Sequence, residues 1–258
     1  LLLVALCLAG CPKPLPRFVA KVTQLPDDPK ELVAIADAAA AKEVVVGKES
    51  AALQDLARAK AALEKALASK TRGADITPFA LRWRLARNAF LMANLLRNKT
   101  QLVEICREGM KHGEAASKLQ PKRVEGHYYF ALTMARIAEA KWKLTYVKAI
   151  VAAGERARAI DETYDNAGPL AFLGKVYLTA PAWPVSVGNP EKAVELLEKA
   201  VKLAPKRPLH HLFLGQAYLA EEEPEKAIEQ LKIALAAKLD PRWRREAQEA
   251  LNKAKDEL

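Results

Sequence analysis

Histidine and serine are the residue types here that would most directly support catalysis or metal binding, and each occurs only four times in 258 residues. The histidines lack ligand-like spacing, and the adjacent His210 and His211 point to different faces of a helix. Ser186 lies in Pro184-Val-Ser-Val-Gly188, half of a nucleophile elbow, but proline replaces the first glycine and no strand precedes it. The sequence therefore predicts no enzyme, no cofactor and no metal site, and structural roles for the histidines.

Cysteine offers a different chemistry, the covalent attachment of lipid. The chain begins LLLVALCLAGC, ten uncharged and mostly apolar residues that stop at Cys11. As a helix they span about 15 Å, half of a bilayer core, which is typical of a signal peptide rather than a membrane span. The stretch Leu-Ala-Gly-Cys at 8–11 closely resembles the lipobox of bacterial lipoproteins, in which the cysteine is acylated. We predict a signal-peptide remnant at 1–10 and lipid on Cys11; the alternative is a small-residue cleavage site before a chance cysteine.

Residues 11–29 are rich in proline, at positions 12, 14, 16, 26 and 29. Proline-rich segments are extended, semi-rigid spacers, so 11–29 is predicted to be a tether that holds a folded body away from a membrane. We expect a periplasmic protein, lipid-anchored to a bacterial membrane, with the outer membrane favoured. A competing address is Lys-Asp-Glu-Leu at 255–258, which matches an endoplasmic-reticulum retention signal but also fits the last charged turns of a terminal helix.

The remaining cysteine, Cys106, would have no partner for a disulfide, because Cys7 leaves with the signal peptide and Cys11 carries lipid. Its apolar surroundings, LVEICREGM, are typical of a buried small hydrophobe rather than a reactive thiol.

The composition favours helices as the elements that position the residues named above. It is 51% hydrophobic and 28% charged with 11 glycines, and alanine, leucine, lysine and glutamate dominate. These are the strongest helix formers, and no stretch shows sustained two-residue alternation. The fold class is predicted to be all-α.

An internal repeat organises the helices. NPEKAVELLEKAV at 189–201 returns as EPEKAIEQLKIAL at 223–235, with Pro190 and Pro224 separated by 34 residues. The preceding helices match as LGKVYL at 173–178 and LGQAYL at 214–219, which lie 41 residues apart. Seven extra residues have therefore entered the first connection, TAPAWPVSVGN at 179–189.

The period of 34 resembles the tetratricopeptide repeat, with His211 in the place of its usual tryptophan. Small residues at Gly215 and Ala227 would let two helices approach, while Tyr218 and Leu231 fill the space beside them. We predict a tetratricopeptide-repeat-like stack of about five hairpins plus a C-terminal helix over 30–258. Its paired helices are expected at 30–46 with 49–69, 77–97 with 100–119, 122–141 with 144–160, then the two clear repeats and a last helix from 241.

The sequence also resembles a narrower family, the TatT lipoproteins, which are the tetratricopeptide-repeat component of tripartite ATP-independent periplasmic (TRAP) transporters. Cys11 in its lipobox and three longer stretches carry the likeness: YYFALTMARIAEAKWKL at 128–144, DETYDNAGPLAFLGKVYL at 161–178 and APAWPVSVGNPEKAVELLEKAVKLAP at 180–205. The resemblance implies a non-catalytic envelope lipoprotein, able to self-associate as a homo-oligomer, that works beside the periplasmic solute-binding protein of such a transporter.

Large aromatic residues are the candidate contacts with a partner or ligand. They are Tyr128, Tyr129, Trp142, Tyr146 and Trp183. The lengthened connections that carry Trp142, Tyr146 and Trp183 are expected on one edge of the stack. Trp183 either contacts a partner or folds back to cap its own hairpin, and the sequence leaves both open.

A net charge of +10 does not predict nucleic-acid binding here. Outside the cytoplasm a basic surface meets acidic lipid, cell wall or anionic solutes, and basic residues mixed with glutamates are typical of a solvated helix face. The alternative function is a tetratricopeptide-repeat scaffold lipoprotein that helps to assemble an outer-membrane or secretion complex.

Overall fold

The computed structural model describes residues 24–42, 44–45, 47–70, 73 and 76–258. Within them the chain forms eleven α-helices: α1 (Pro29–Ala41), α2 (Glu49–Ala68), α3 (Pro78–Leu95), α4 (Lys99–Leu119), α5 (Val124–Lys141), α6 (Val147–Ile160), α7 (Tyr164–Thr179), α8 (Pro190–Leu203), α9 (Pro208–Ala220), α10 (Pro224–Ala236) and α11 (Pro241–Asp256). This is the all-α, tetratricopeptide-repeat-like stack that the sequence predicts, with five hairpins and a final helix. The predicted signal-peptide remnant, Cys11 and most of the predicted tether lie outside the described residues.

Local sequence signals explain where many helices begin. Proline stands at the first position of α1, α3, α8, α9, α10 and α11, where its missing N–H costs no hydrogen bond. Side-chain caps add to this: Thr77 accepts from the N–H of Ala80, and Asn189 accepts from the N–H of Lys192.

The helices form two layers. The inner layer consists of α1, α3, α5, α7, α9 and α11, and each of these contacts the next along the stack. The outer layer consists of α2, α4, α6, α8 and α10, whose backbones in the described residues pack on inner helices and not on one another; long side chains still bridge some of them, as in the ion pairs Lys60–Glu108 and Glu155–Lys192. Because the outer helices are splayed apart while the inner helices touch, the stack curves with the inner layer on its concave side.

The repeat positions pack as the sequence predicts. A methyl group added at Gly215 would lie 2.6 Å from Cγ of Leu231, so only glycine lets α9 and α10 approach this closely. His211, in the place of the usual tryptophan, is buried and donates its Nε2–H to the carbonyl of Pro205 at 2.8 Å. His127 makes the equivalent bond to Pro121 at 3.0 Å. The role of these histidines in the structure is to tie an inner helix to the preceding turn.

The predicted first helix, 30–46, is too long. α1 ends at Ala41, and Lys42 already has extended backbone angles. Val44 and Val45 follow, β-branched and exposed by 37% and 51%, so little burial offsets their low helix propensity. The predicted start of the sixth helix at 144 is also early, because Leu144–Tyr146 forms a short 3-10 turn before α6.

A left-handed turn opens α7. Asp165, Asn166 and Ala167 all have positive φ, between 50° and 61°, and the regular helix continues from Gly168 and Pro169. Alanine is uncommon in this conformation, so the position must be imposed by its surroundings. The turn lies against the buried aromatic residues of α5 and therefore belongs to the candidate site.

Candidate partner-binding surfaces

The inner layer holds a cluster of aromatic rings drawn from three helices. Trp83 on α3 stacks on Tyr129 on α5, with ring centroids 6.1 Å apart. Tyr164, at the start of α7, meets Tyr128 edge-on at 5.5 Å and Tyr129 at 6.4 Å. These rings join three successive hairpins where the contact between α5 and α7 is small. Trp83 and Tyr164 remain partly exposed.

Guanidinium groups surround Trp83. Arg84 and Arg87 lie 4.4 Å and 4.9 Å from the ring centroid, in cation–π geometry. Both also bind the carboxylate of Asp37 on α1. Burial raises the pKa of Asp37, but the hydrogen bonds and charges of the two arginines outweigh it, so that the pKa is lowered overall. Asp37 therefore stays ionised and holds the guanidinium groups in place.

A polar rim borders the same cluster. The hydroxyl of Tyr128 donates to Oδ2 of Asp165 at 3.3 Å. Asp165 is accessible to solvent but crowded by protein on one side; this desolvation raises its pKa, and the positive charge of Arg207 offsets part of the rise. Arg207 itself is exposed just before α9. An accessible carboxylate and guanidinium beside aromatic rings form a concave, chemically mixed surface.

A second ring cluster continues the inner layer towards the C-terminus. Phe213 on α9 meets Trp243 on α11 edge-on at 5.5 Å, and Arg242 stacks on Trp243 at 4.0 Å. Lys175 on α7 lies 4.8 Å from the centroid of Phe213 and donates to Oε1 of Gln216 at 2.9 Å. The surrounding side chains bury the amine of Lys175 and thereby lower its pKa. We call Trp83, Tyr129, Tyr164, Phe213 and Trp243 the aromatic row.

Two connections on the edge of the stack expose tryptophan. Trp142 ends α5 and is 86% exposed, and Trp183 in the long connection 180–189 is 84% exposed. Leu144 and Val185, each two residues after its tryptophan, are also exposed. We call the connections 142–146 and 180–189 the tryptophan edge.

The long connection is compact at its base. The N–H of Gly188 donates to the carbonyl of Pro181 at 2.8 Å, and the N–H of Asn189 donates to that of Tyr177 at 2.9 Å. A methyl group at Gly188 would lie 2.1 Å from the carbonyl oxygen of Ala180, so the closure requires glycine. Val187 packs on the core, and Trp183 projects from the other side of the connection.

The predicted contact residues fall into three environments. Tyr128 and Tyr129 are buried, with 5% and 6% of their surface exposed, and offer a partner little area. Tyr146 is partly buried and packs against the core cluster around Cys106. Trp142 and Trp183 are fully available. The structure therefore does not show Trp183 capping its own hairpin, and the role of all five residues in binding stays a prediction.

Sequence reasoning missed Trp83, Tyr164, Phe213 and Trp243. One signal was present: the tripeptide Arg-Trp-Arg occurs twice, at 82–84 and 242–244, each time on an inner helix and each time with an arginine stacked on the ring. The juxtaposition of Trp83 with Tyr164 could not be found this way, because it depends on how separate hairpins stack.

Burial shifts the pKa values of the Cys106 thiol and the His210 imidazole away from those that favour reactivity at neutral pH. Burial raises the pKa of the Cys106 thiol to about 12, so the thiolate is absent at neutral pH. Burial and the nearby Arg207 lower the pKa of His210 to about 4. Among the described residues no cluster of three His, Cys, Asp or Glu could hold a metal ion, and no helix is both long and apolar enough to cross a membrane.

Comparison with known proteins agrees with the fold. Residues 185–251 match the tetratricopeptide-repeat family model. No curated protein sequence gives a significant match to the chain.

Several solved structures are similar to this chain. The protein TTC0263, a thermophilic tetratricopeptide-repeat protein of Thermus thermophilus, is similar with a TM-score of 0.58 at 16% identity, over 87% of this chain and 99% of that one. YrrB, described as a tetratricopeptide-repeat protein with an unusual peptide-binding site, gives a TM-score of 0.46 at 17% identity, over 86% and 93% of the two chains. A structure of MamA gives 0.44 at 20% identity, over 89% and 96%. The family match and the first of these structures support a tetratricopeptide-repeat-type protein.

Proposed function

We propose that this chain is a non-catalytic scaffold that binds a partner protein on its concave inner face, as the accessory component of a TRAP-type solute transporter. The partner is the periplasmic solute-binding protein of that transporter. The tetratricopeptide-repeat-type fold supports the general role in protein interaction, and the stretches at 128–144, 161–178 and 180–205 support the specific one by their resemblance to TatT lipoproteins.

The aromatic row is the observation that carries the binding role. Rings held on packed helices offer large contact area at a small entropic cost, and arginine stacked on tryptophan is typical of strong contact points in interfaces. Trp83 and Tyr164 are partly exposed on the inner side, with Arg87 and Arg207 beside them. Such a surface suits a partner segment that combines apolar and acidic side chains.

A pair of charge reversals tests this placement. Arg207→Glu changes the inner face, and Arg156→Glu makes the same change in net charge at an exposed position on the outer helix α6. Binding of the full chain to the solute-binding protein encoded beside it should weaken about tenfold or more for Arg207→Glu and remain unchanged for Arg156→Glu, measured by calorimetry. Equal affinities for both variants would refute the inner face as the binding surface.

The same titration tests whether the partner is a solute-binding protein. If wild type fails to bind any transporter solute-binding protein but co-purifies with an outer-membrane or secretion assembly, the transporter role is wrong and the scaffold alternative replaces it. A double variant, Trp142→Ala with Trp183→Ala, belongs in this titration as well. Loss of binding there would place the protein partner on the tryptophan edge instead.

Attachment to a membrane through Cys11 forms part of this proposal, because the lipobox-like Leu-Ala-Gly-Cys stretch supports acylation there. Cells fed a labelled fatty acid should label the wild-type chain and not Cys11→Ser. Label retained by the Cys11→Ser variant would remove the argument for this anchor.

A further inference from the structure

Trp142 occupies a backbone position that tryptophan does not favour. Its φ is 52°, in the left-handed region, and it ends α5 where glycine is the usual residue. Its ring is 86% exposed, so burial does not offset the strain of the left-handed conformation. Neither helix capping nor packing accounts for a tryptophan here, which points to a contact outside the chain.

Trp183 presents its ring in a different way but with the same neighbours in sequence. The connection 180–189 is closed at its base by its own hydrogen bonds and projects Trp183 and Val185 into solvent. In both connections an exposed aliphatic residue follows two positions after the tryptophan, yet the backbones differ: one is a helix end with a 3-10 turn, the other a ten-residue loop. The same pair of residue types, a tryptophan and an aliphatic residue two positions later, is therefore exposed by two different backbone conformations.

The two connections are neighbours on the stack. Glu155 on α6 contacts Lys192, at the start of α8, with 3.5 Å between Oε1 and Nζ. Glu155 lies eight residues, or about 12 Å, along α6 from its first residue. The long connection therefore leaves the stack alongside α6, close to the connection that carries Trp142.

Charge within and directly beside the first connection of this edge has one sign, with the acidic Glu139 and Glu191 just outside the two connections. The segment 141–148 contains Lys141, Lys143 and Lys148 and no acidic residue, and 180–189 contains no charge at all. All three lysines are exposed, and within the described residues none forms an ion pair. The corresponding connection of the next hairpin is Glu221-Glu222-Glu223. Basic charge and exposed apolar rings thus coincide on one part of the edge.

We infer that the tryptophan edge docks on the surface of an anionic lipid bilayer. Tryptophan favours the boundary between headgroups and acyl chains, and lysine binds lipid phosphates while its stem lies along the apolar region. A fluid lipid surface can accommodate tryptophan rings held in different orientations by different backbone conformations. A partner protein would require the two rings to be held in a fixed geometry. Contact with lipid phosphate would neutralise the three lysines, which no acidic residue of the described chain does.

Quenching by bromine-labelled lipid tests the inference with the full chain. Vesicles of brominated phosphatidylcholine with phosphatidylglycerol should quench wild-type tryptophan fluorescence. The quenched fraction should fall in Trp142→Phe and in Trp183→Phe, but not in the matched variants Trp83→Phe and Trp243→Phe, whose rings lie on the inner face. An anchor at the N-terminus would bring all variants to the vesicle alike, so the comparison reports which ring enters the lipid.

The charge requirement is measured in the same assay. Replacing Lys141, Lys143 and Lys148 by glutamine, or phosphatidylglycerol by phosphatidylcholine, should lower quenching of the two edge rings about tenfold at low salt. Circular dichroism checks that each variant is folded. Vesicle-bound protein in which Trp142 and Trp183 escape quenching would overturn the inference. Two other results would also overturn it. Without lipid, an emission shift of these rings that depends on protein concentration would indicate contact with a second copy of the chain. Loss of protein-partner binding in the Trp142 and Trp183 variants would indicate contact with a protein.

Discussion

The hairpins α7–α8 and α9–α10 pack alike but are joined by connections of different length. A methyl group at Gly174 would lie 2.5 Å from Cγ of Leu197, just as one at Gly215 would meet Leu231 at 2.6 Å. The seven extra residues of the first hairpin change neither this contact nor the proline that starts its second helix.

A tyrosine in each hairpin repeats the same arrangement. Tyr177 accepts from Nζ of Lys192 at 2.8 Å and lies near Glu155 of the preceding outer helix. Tyr218 donates to Glu198 of its preceding outer helix at 2.6 Å, and Lys226 lies 5.3 Å from its ring centroid. The comparison teaches that the hairpin is specified by these inner contacts, and that its connection is free to serve another purpose.

The largest expected effect tests the equivalence directly. Leu197→Ala and Leu231→Ala should each lower the free energy of unfolding by about 2–5 kcal/mol, because both side chains are fully buried against a glycine. Urea denaturation measures both. Adding Gly174→Ala to Leu197→Ala should cost less than the two changes summed, because the new methyl group enters the space that leucine leaves. A large loss in only one hairpin would contradict their equivalence.

The pH dependence should separate the hairpins, because His210 occurs only in the second. Burial lowers its pKa from about 6.5 to about 4, with Arg207 contributing and the neighbouring His211 adding a smaller effect. The unfolded chain therefore binds a proton that the native chain excludes, and stability falls as pH drops from about 6.5 towards 4, by about 2 kcal/mol.

The change His210→Leu isolates this contribution from that of the carboxylates that titrate in the same range. The difference in unfolding free energy between wild type and variant should change with pH over this window and level off above it. A constant difference from pH 7 to pH 4.5 would show that the pKa of His210 is the same in the native and the unfolded chain.

Exchange of the connection should have a smaller effect. Replacing Thr179–Asn189 by Ala-Glu-Glu-Glu should cost about 1–2 kcal/mol, through loss of the Asn189 cap and of the packing of Val187, since Trp183 and Val185 are exposed. Thermal unfolding provides the measurement. A fall of several kcal/mol would mean that Trp183 packs on its own hairpin in solution after all.

The smallest effect is an increase in stability. α5 and α9 end alike: the N–H of Lys143 donates to the carbonyl of Ala138 at 3.0 Å, and the N–H of Glu223 donates to that of Tyr218 at 2.9 Å. Each end places a non-glycine residue, Trp142 or Glu222, at positive φ. Glycine at either position should raise the unfolding free energy by about 0.5 kcal/mol. A loss of stability in Trp142→Gly alone would show that its ring contributes to packing.

Sequence reasoning recovers what is local or repeated. The hairpins, the proline starts and the packing of Gly215 on Leu231 follow from residue types at fixed spacing, and all are confirmed. The end of α1 was misjudged because the valines continue the apolar pattern but have no neighbour to pack against. The left-handed turn at 165–167 carries no glycine signal, since its conformation is imposed by contact with α5.

The candidate site was less accessible to prediction. Tyr128 and Tyr129 were predicted as contacts from their aromatic character, whereas the structure buries them behind Trp83 and Tyr164. Which aromatic faces solvent depends on the register between successive hairpins, and no pattern within one hairpin contains that information. The tryptophan edge was predictable because it lies in connections, which are exposed in any stack.

The wide spacing of the outer-helix backbones in the described chain has a mechanical consequence. Bending stiffness of the stack resides mainly in its inner layer, because neighbouring outer helices are joined by long side chains, as in the ion pairs Lys60–Glu108 and Glu155–Lys192, rather than by backbone packing. The stack therefore bends most easily by changing the spacing between its outer helices. Among the described inner helices the backbone contact is smallest between α5 and α7, where the rings of Tyr128, Tyr129 and Tyr164 bridge the hairpins, so a change in the packing of these rings would alter the curvature of the concave face while every hairpin stays intact.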